Sequence, residues 1–401
     1  MQGFLLDTIS THGRHDSVRI ELSVVFTGNR LNMERLPQLA ARQLCAKADT
    51  LAAHHVTIGL DGFVDEIVCV VDKRETAEKF TRVPTLAAFG ARIVAAAGKS
   101  TNAELVVERV KLGGNGPIMA NALAAFGVRV TYIGNLGYPN IHPVFAELAK
   151  RATVYSIAEP GRTDALEFED GKIMMGKHAT LGEVNWHNLV ERIGHKTLAD
   201  CFANASLVGL QNWTMLPHMS EIWEHVLAEI CPQMPARSRH TLFLDLADPE
   251  KREAADIRHA LDLIGRFQKY FDVYLGLNEK ESLEIGQVLG FKGPREGEAA
   301  TTALAKFIHE RIKTSGVVVH PRFYAIAASA AGVVKTDGPV IERPVISTGG
   351  GDHFNAGFCL GKLIGADDQC SLQLGVGTSS YYVGTARSPS LMELAEFLRS
   401  L

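Results

Sequence analysis

Short runs of apolar residues alternate along the chain with longer segments in which apolar positions recur every three or four residues. The apolar runs have the length of strands, and the amphipathic segments between them have the length of helices. From about residue 56 onward this alternation predicts an α/β fold with a mostly parallel sheet. The predicted strands include Val56–Leu60, Ile67–Val71, Val128–Ile133, Leu207–Leu210, Leu242–Leu246, Val273–Leu277, Val317–His320 and Tyr324–Ala328.

The first 55 residues follow a different pattern. They are rich in Arg and His, and Leu36–Ala53 predicts a single helix. We therefore expect a partly helical N-terminal extension over residues 1–55, followed by one domain over residues 56–401.

One segment of the predicted domain has the pattern of a hairpin. Residues 165–176 form two short apolar arms around Asp170-Gly171, a pair that predicts a type I′ turn. A hairpin inserted into an α/β chain suits a lid over a site, and we expect lid segments near residues 62–74 and 153–178. A simple edge hairpin is the alternative.

Composition excludes several classes of protein. The 401 residues are 46% apolar and 21% charged with a net charge of −4, which is ordinary for a globular protein and demands neither nucleic acid nor an anionic membrane as a partner. The six cysteines contain no CxxC pair that would predict a zinc ribbon. The N-terminus lacks a secretory pattern, and the apolar tract Ala325–Val334 is shorter than a membrane span. We expect a soluble cytoplasmic protein.

The strongest chemical signal is the glycine-rich segment Ser347–Gly357, which reads STGGGDHFNAG. Gly349, Gly350 and Gly351 can aim several backbone N–H groups at one point, and the apolar stripe that follows predicts a helix. Amides at a helix N-terminus form an anion site. Asp352 would then accept a proton from an alcohol while the amides hold a migrating phosphoryl group. The alternative for Asp352 is a helix N-cap.

This segment resembles the GAGD-type signature of the PfkB, or ribokinase-like, carbohydrate kinases, and further motifs follow the family's order. The segment from Gly113 to Gly127 resembles the substrate-side double-glycine motif. Asp65 resembles the acidic residue that binds sugar hydroxyls, and Asn278–Glu281 resembles the N-x-x-E motif near metal and phosphates. Asp245 stands where the family has an aspartate at a strand end.

The resemblance implies a ribokinase-like three-layer αβα fold, with a central mostly parallel sheet and a small β lid. It implies a Mg²⁺-dependent transfer of a nucleotide's terminal phosphoryl group to a hydroxyl of a sugar or sugar-like molecule. Asp352 would be the general base, and the three glycines before it would be the anion hole. The other residues implied are Asp65, Gly113, Gly114 and Asn115 for substrate, with Asp61 as the alternative to Asp65; Asn278, Thr348 and Arg322 for nucleotide; and Glu281 and Asn278 for metal.

The chain departs from the family pattern at several positions. Ile346 replaces an aspartate that helps to hold a monovalent cation, and Ile118 replaces an asparagine of the substrate helix. The strand ending at His320 runs into Pro321-Arg322 instead of a Thr-x-Gly phosphate turn, so Arg322 becomes a candidate phosphate ligand.

The identities of donor, acceptor and partner remain open at this level. The helix after the glycine loop favours ATP as donor, whereas the segments GGNGPIMAN and Gly209–Asn212 resemble ADP-dependent sugar kinases. The acceptor class includes sugars, sugar phosphates and nucleosides. A kinase-derived sugar or nucleotide sensor is the alternative function. The apolar arm Ile173–Met175 suits a homodimer through the lid, and packing on its own domain is the alternative.

Overall fold

The computed structural model describes residues 34–235 and 240–401, so the predicted extension before residue 34 lies outside the described residues. The described strands are β1 (His55–Leu60), β2 (Phe63–Arg74), β3 (Phe80–Arg82), β4 (Leu105–Gly113), β5 (Arg129–Gly134), β6 (Ala152–Ser156), β7 (Gly161–Phe168), β8 (Gly171–Lys177), β9 (Leu207–Gln211), β10 (His240–Asp245), β11 (Phe271–Leu277), β12 (Gly316–Val319), β13 (Tyr324–Ser329) and β14 (Gly332–Asp337).

The helices alternate with the strands along most of the chain. None of the helices in the described ranges has both the length and the apolar character required to cross a membrane. The helices are α1 (Leu36–Ala46), α2 (Ala48–Leu51), α3 (Leu86–Ala95), α4 (Asn115–Ala125), α5 (Ala146–Ala149), α6 (Trp186–Ile193), α7 (His195–Asn204), α8 (Met219–His225), α9 (Ala254–Phe267), α10 (Glu279–Leu289), α11 (Glu298–Ile312), α12 (Gly350–Leu363), α13 (Asp368–Thr385) and α14 (Leu391–Arg399).

Nine strands form the main sheet, in the order β14-β13-β12-β11-β10-β9-β1-β5-β6. The seven strands from β12 to β6 are parallel, and β13 and β14 add an antiparallel edge. The predicted strands of the α/β pattern all lie in this sheet except Ile67–Val71, which lies in β2 of a smaller sheet. The carboxyl ends of the parallel strands therefore meet at one edge.

Apolar side chains from the main sheet enter two separate cores because successive residues of a strand point to opposite faces. Leu242 and Leu244 of β10 pack with α7 to α11, whereas Phe243 between them packs with α4, α12 and α13. Helices therefore cover both faces of the sheet. The expected three-layer αβα arrangement is confirmed.

The smaller sheet contains β2, β3, β4, β7 and β8, and we call it the lid. It has its own small core, in which Val68, Val70, Val83 and Leu166 are buried. The expected lid segments omit β3 and β4, and the segment 153–178 includes most of β6, which belongs to the main sheet. Strand β4 lacks a buried apolar alternation because most of its residues are exposed.

The predicted hairpin is confirmed, but its turn differs from the prediction. Phe168 pairs with Gly171, so the loop consists of Glu169 and Asp170, and neither has a positive φ. The prediction of a type I′ turn is therefore wrong. Tertiary bonds fix the turn instead, since the Asp170 carboxylate accepts from the Leu86 amide at 2.7 Å and the Glu169 amide donates to the Pro84 carbonyl at 2.9 Å.

Residues 35–55 belong to the core of the domain, so the expected boundary at residue 56 lies too late. Ala40, Ala41 and Leu44 are fully buried and pack with α13 and α14. The predicted helix Leu36–Ala53 is also interrupted at Lys47, between α1 and α2. The apolar stripe of α1 has its partners almost the whole chain away, which explains why the local pattern resembled an extension.

We expect Leu44→Ala to destabilise the protein by about 2–5 kcal/mol, the usual cost of an emptied core site. Leu105→Ala provides the matched control because Leu105 lies in the lid and is 40% exposed. Urea unfolding followed by circular dichroism measures both. Equal stability of the two variants would contradict the assignment of α1 to the core.

Candidate active site

Polar side chains converge at the carboxyl ends of four neighbouring strands. Asp61 follows β1, Asn212 follows β9, Asp245 ends β10 and Asn278 follows β11. Asp352, in the first turn of α12, lies close enough to Asp245 to raise the pKa of that carboxyl. This edge of an open parallel sheet is where ligands generally bind.

The glycine loop before α12 is held by side chains from three parts of the fold. Gly349 has φ of +93°, and a Cβ there would lie 3.1 Å from the Tyr382 hydroxyl, so the position favours glycine. The His353 ring Nδ1 and the Gly349 carbonyl are 2.7 Å apart, and the Tyr382 hydroxyl donates to the Thr348 carbonyl at 3.1 Å. Lys172 of the lid donates to the Thr348 hydroxyl.

The three glycines of the predicted anion hole lie at the start of α12, but they differ in whether their amides are already bonded. The Gly350 amide donates to the Ser347 carbonyl at 3.2 Å, which closes a turn. Gly351 is exposed in the first helical turn, where amides have no acceptor within the helix. The Gly350 amide is therefore already bonded within the loop. Among the three glycines of the predicted anion hole, Gly351 is the one whose amide is left in the first turn of α12, where an anion is favoured.

Asp352 is a buried carboxylate and not the N-cap of α12, since the N-cap is Gly349. Its Oδ1 accepts a hydrogen bond from the Asn115 side-chain amide at 2.8 Å. Burial raises the pKa of Asp352 to about 8. The bond from Asn115 opposes this shift, and the charges of Asp61 and Glu281 add to it.

Asp61 is fully buried and is bound entirely by groups of the protein. Its Oδ1 accepts from the Gly116 amide at 2.8 Å, and its Oδ2 accepts from the Asn115 amide at 2.9 Å and the Asn212 side chain at 2.8 Å. Asp61 thus caps the N-terminus of α4. Both oxygens of Asp61 are thus engaged by the protein, and its alternative role as a sugar ligand stays a prediction.

The paired glycines of the substrate-side motif allow two carboxylates to approach the backbone. A Cβ on Gly113 would collide with the carboxylate of Asp65, and one on Gly114, where φ is +98°, would lie 2.9 Å from Asp61 Oδ2. Burial raises the pKa of Asp65, and the positive charge of Lys111 opposes the shift. Two consecutive glycines are therefore required here, because a side chain at either position would collide with a carboxylate.

A cavity of about 600 Å³ separates the lid from the segment before α12. Asp65 and Thr348 both line it, which brings together one predicted substrate residue and one predicted nucleotide residue. Its lining contains cations and carboxylates in equal number, so it suits a hydroxylated small molecule. The charged lining residues are Asp65, Arg109, Lys111, Glu167, Glu169 and Lys172.

Asn278 and Glu281 form a reciprocal cap at the start of α10. The Asn278 side chain accepts from the Glu281 amide at 2.9 Å, and Glu281 Oε2 accepts from the Asn278 amide at 2.8 Å. Glu281 Oε1 also accepts from the Asp248 amide at 3.0 Å. Burial raises the pKa of Glu281. These two residues consequently have an architectural role whether or not they hold a metal.

The residues around Asp245 are the best fit for a divalent cation. Burial, with the nearby charges of Glu281 and Asp352, raises the pKa of Asp245 well above its usual value. Asn355 donates to Asp245 at 2.8 Å, and its own carbonyl oxygen is buried with no donor among the described residues. Within those residues no cluster of three metal-ligating side chains exists. This set fits Mg²⁺ that retains several waters, and not a closed protein cage.

His320, which follows β12, is a site residue that the sequence reasoning missed. Its Cε1 lies 3.2 Å from the point where a Cβ on Gly351 would stand, and its ring lies 4.7 Å from that of Phe354. Its Nε2 is buried with no partner in the described part of the chain. Burial lowers the pKa of His320 to about 4, so the ring is neutral at pH 7.

Arg322, the predicted phosphate ligand, lies two residues further on and is exposed. Its guanidinium lies 5.2 Å from the centre of the Phe323 ring. The signal that could have identified His320 is a polar residue directly after an apolar parallel strand. Asn212 gives the same signal.

Comparison with known proteins is consistent with this geometry. The family model described as prokaryotic ketohexokinase matches residues 22–401. A ketohexokinase of Haloferax volcanii is 28% identical over 344 residues, which cover 85% of this chain and 90% of that protein.

Solved structures of ribokinases have the same fold. Ribokinase of Arabidopsis thaliana, complexed with ribose and ATP, is similar with a TM-score of 0.61 at 14% identity, over 86% of this chain and 98% of that one. Ribokinase of Cryptococcus neoformans in complex with ADP has a TM-score of 0.61 at 17% identity, over 86% of this chain and 99% of that one. The expected ribokinase-like fold is confirmed.

The raised pKa of Asp352 predicts a pH-dependent effect on stability. The folded, ligand-free protein binds this proton more tightly than the unfolded chain, whose ordinary value is 3.8. The stabilisation is fully present below about pH 4 and is lost as the pH rises through about 8. Asp352→Asn cannot ionise, so its melting temperature relative to the wild type should increase from pH 5 to pH 9.

Thermal unfolding at a series of pH values measures this difference. Asp200→Asn is the matched control, because Asp200 is exposed and paired with Lys196. A difference between Asp352→Asn and the wild type that stays constant across the range would contradict the raised pKa.

Proposed function

The chain belongs to the prokaryotic ketohexokinase family and is a PfkB-type sugar kinase, and we propose that it transfers the terminal phosphoryl group of a nucleotide, with Mg²⁺, to a hydroxyl of a ketohexose. The observation that carries the proposal is the 2.8 Å bond between Asn115 and Asp352. It joins the substrate-side loop to the glycine loop. The charged, hydroxyl-accepting cavity beside Asp65 supports a sugar as acceptor.

Asp352 acts as the general base for the acceptor hydroxyl. Its carboxylate is desolvated, and this raises its pKa toward the value at which a base is most effective near neutral pH. Asn115 donates to one oxygen, Oδ1, and so orients the carboxylate toward the acceptor. Ionisation of Asp352 is favoured by that bond and disfavoured by burial.

The N-terminus of α12 holds the migrating phosphoryl group. The first-turn amides and the helix dipole both favour negative charge at this point. Gly349 adopts a left-handed φ, and the bonds of Tyr382 and His353 fix the loop before the nucleotide arrives. This preorganisation reduces the reorganisation needed during the reaction.

Asp245 and Glu281 are the carboxylates that would hold Mg²⁺, with Asn278 and the amide oxygen of Asn355 beside them. The cation would supply positive charge to the phosphates of the nucleotide. Burial raises the pKa of Asp245, and repulsion from the nearby charges of Glu281 and Asp352 adds to the shift. A divalent ion would relieve that repulsion.

ATP is the favoured donor, with ADP as the alternative that the experiment separates. The unpartnered Nε2 of His320 lies beside the first turn of α12 and supports a nucleotide contact there. Asp65, Gly113, Gly114 and Asn115 would contact the sugar, and Thr348 and Arg322 remain proposed nucleotide ligands.

The lid excludes water from the transfer, so that the phosphoryl group passes to the sugar. Lys172 of the lid already contacts Thr348 of the glycine loop. Val107, Val110 and Met175 of the lid are exposed by 47–51%, which supports the proposed homodimer through the lid.

Asp352→Asn should reduce turnover by about two to four orders of magnitude, because it removes the general base and preserves the shape of the side chain. The assay uses Mg-ATP and Mg-ADP separately, each against ketohexoses, aldohexoses, sugar phosphates and nucleosides. Preferred turnover of a ketohexose with Mg-ATP is the expected result. The Asp200→Asn variant is the control for a charge change on the surface.

Near-wild-type turnover of Asp352→Asn would exclude its role as the base. Absence of turnover in the wild type, with a sugar or nucleotide still raising the melting temperature, would instead indicate a sensor.

His320→Ala should raise the KM for the nucleotide about tenfold, the effect of one lost hydrogen bond to a buried group, while the KM for the sugar stays unchanged. Arg322→Ala is the competing variant, because Arg322 is the other proposed nucleotide ligand after β12 and is exposed. Initial rates at varied nucleotide and fixed sugar, and the reverse, separate the two constants. A larger effect of Arg322→Ala would assign the contact to the arginine.

A further inference from the structure

A second charged cavity, of about 500 Å³, lies between α9 and α11. Four cations line it, namely Arg258, Arg266, Arg311 and Lys313, against the single carboxylate of Asp262. The chain as a whole carries a net charge of −4. We call this the basic cavity, and its lining is opposite in sign to the protein that contains it.

The basic cavity lies far from the candidate active site. Helix α9 ends at Phe267, just before β11 begins, and α11 ends at Ile312, just before β12 begins. The basic cavity is therefore at the amino-terminal edge of the parallel strands, whereas Asp245 and Asn278 are at the carboxyl edge. The seven residues of β11 separate the two edges by about 20 Å.

None of the four cations forms a direct ion pair within the described residues, although Asp262 lines the same cavity. Within the described ranges their side chains also form no hydrogen bond, and Arg311 lies over the Phe307 ring with 5.0 Å to its centre. Elsewhere helical lysines such as Lys196 and Lys150 pair with a nearby carboxylate. Like charges gathered around one concave surface repel one another unless an anion is bound.

Helix dipoles account for only part of this arrangement. Arg266 and Arg311 are in the last turns of α9 and α11, where a cation is mildly stabilising. Arg258 is in the first half of α9 and gains nothing from the C-terminus of that helix. All four nevertheless line the same cavity.

We propose that the basic cavity binds a small phosphate-bearing anion, at a site separate from the one that transfers phosphate. Its volume is in the range of small-molecule sites. Three guanidinium groups can each make paired hydrogen bonds to phosphate oxygens, which is the geometry that arginine provides better than lysine. The concave shape favours a compact metabolite over an extended polymer.

Helix α10 connects the two sites. Asn278 and Glu281 cap its N-terminus in the candidate active site, and Leu289 at its other end lines the basic cavity. An anion bound in the basic cavity therefore contacts the same rigid element that carries the proposed metal ligands.

Isothermal titration with inorganic pyrophosphate, AMP and fructose 1-phosphate tests the site and identifies the class of phosphate compound. The double variant Arg266→Ala/Arg311→Ala should weaken binding of the preferred compound at least about tenfold, because two guanidinium groups that can bind phosphate oxygens are lost. Lys150→Ala/Lys196→Ala removes the same charge from exposed helices and should bind as the wild type does.

Turnover of Arg266→Ala/Arg311→Ala with a saturating sugar and nucleotide should equal that of the wild type without added anion. A wild type that binds the anion but has no kinase turnover would leave the basic cavity supported and the proposed function rejected. Absence of binding by the wild type, or equal binding by Arg266→Ala/Arg311→Ala and the lysine control, would overturn the basic cavity as an anion site.

Discussion

The capping of α4 by Asp61 is the interaction on which the rest of the site depends. A single buried carboxylate accepts from the amides of Asn115 and Gly116 and from the side chain of Asn212, so it joins the ends of β1 and β9 to the start of a helix. Asn115 is thereby fixed at its backbone, and its side chain reaches Asp352. Hydrogen bonds that favour the ionised form lower the cost of burying such a charge. Without this cap, the position of Asn115 relative to Asp352 would not be fixed.

Carboxyl groups are concentrated at this edge of the sheet. Asp245, Glu281 and Asp352 are buried near one another, and burial is the first cause of the raised pKa of each. Such a cluster is destabilising in a ligand-free protein and useful in one that binds a cation and an anionic nucleotide. The net charge of the whole chain is small because acidic and basic groups nearly balance. The acidic groups at this edge and the basic cavity at the opposite edge are therefore not apparent from the composition.

Local patterns were sufficient wherever a residue acts through its own backbone neighbours. The helix that opens at the three glycines before Asp352 and the Asn278–Glu281 pair at the start of α10 both depend on spacings of a few residues, and a sequence records those spacings directly. The same patterns failed for α1 and for the hairpin turn. In both cases the deciding contacts come from distant segments, namely α14 for Leu44 and the first residue of α3 for Asp170.

The sequence by itself determined the class of fold, the helix that opens at the glycine loop and the residue types available for phosphoryl transfer, because apolar periodicity and glycine spacing are local properties. Only the tertiary structure decided that Asp65 lines the cavity beside the lid and that His320 lies against Gly351. It also showed that Asn115 bonds Asp352 across 237 positions of the chain. Burial and pairing between distant residues set those outcomes, since the free energy of a polar group depends on what surrounds it in space.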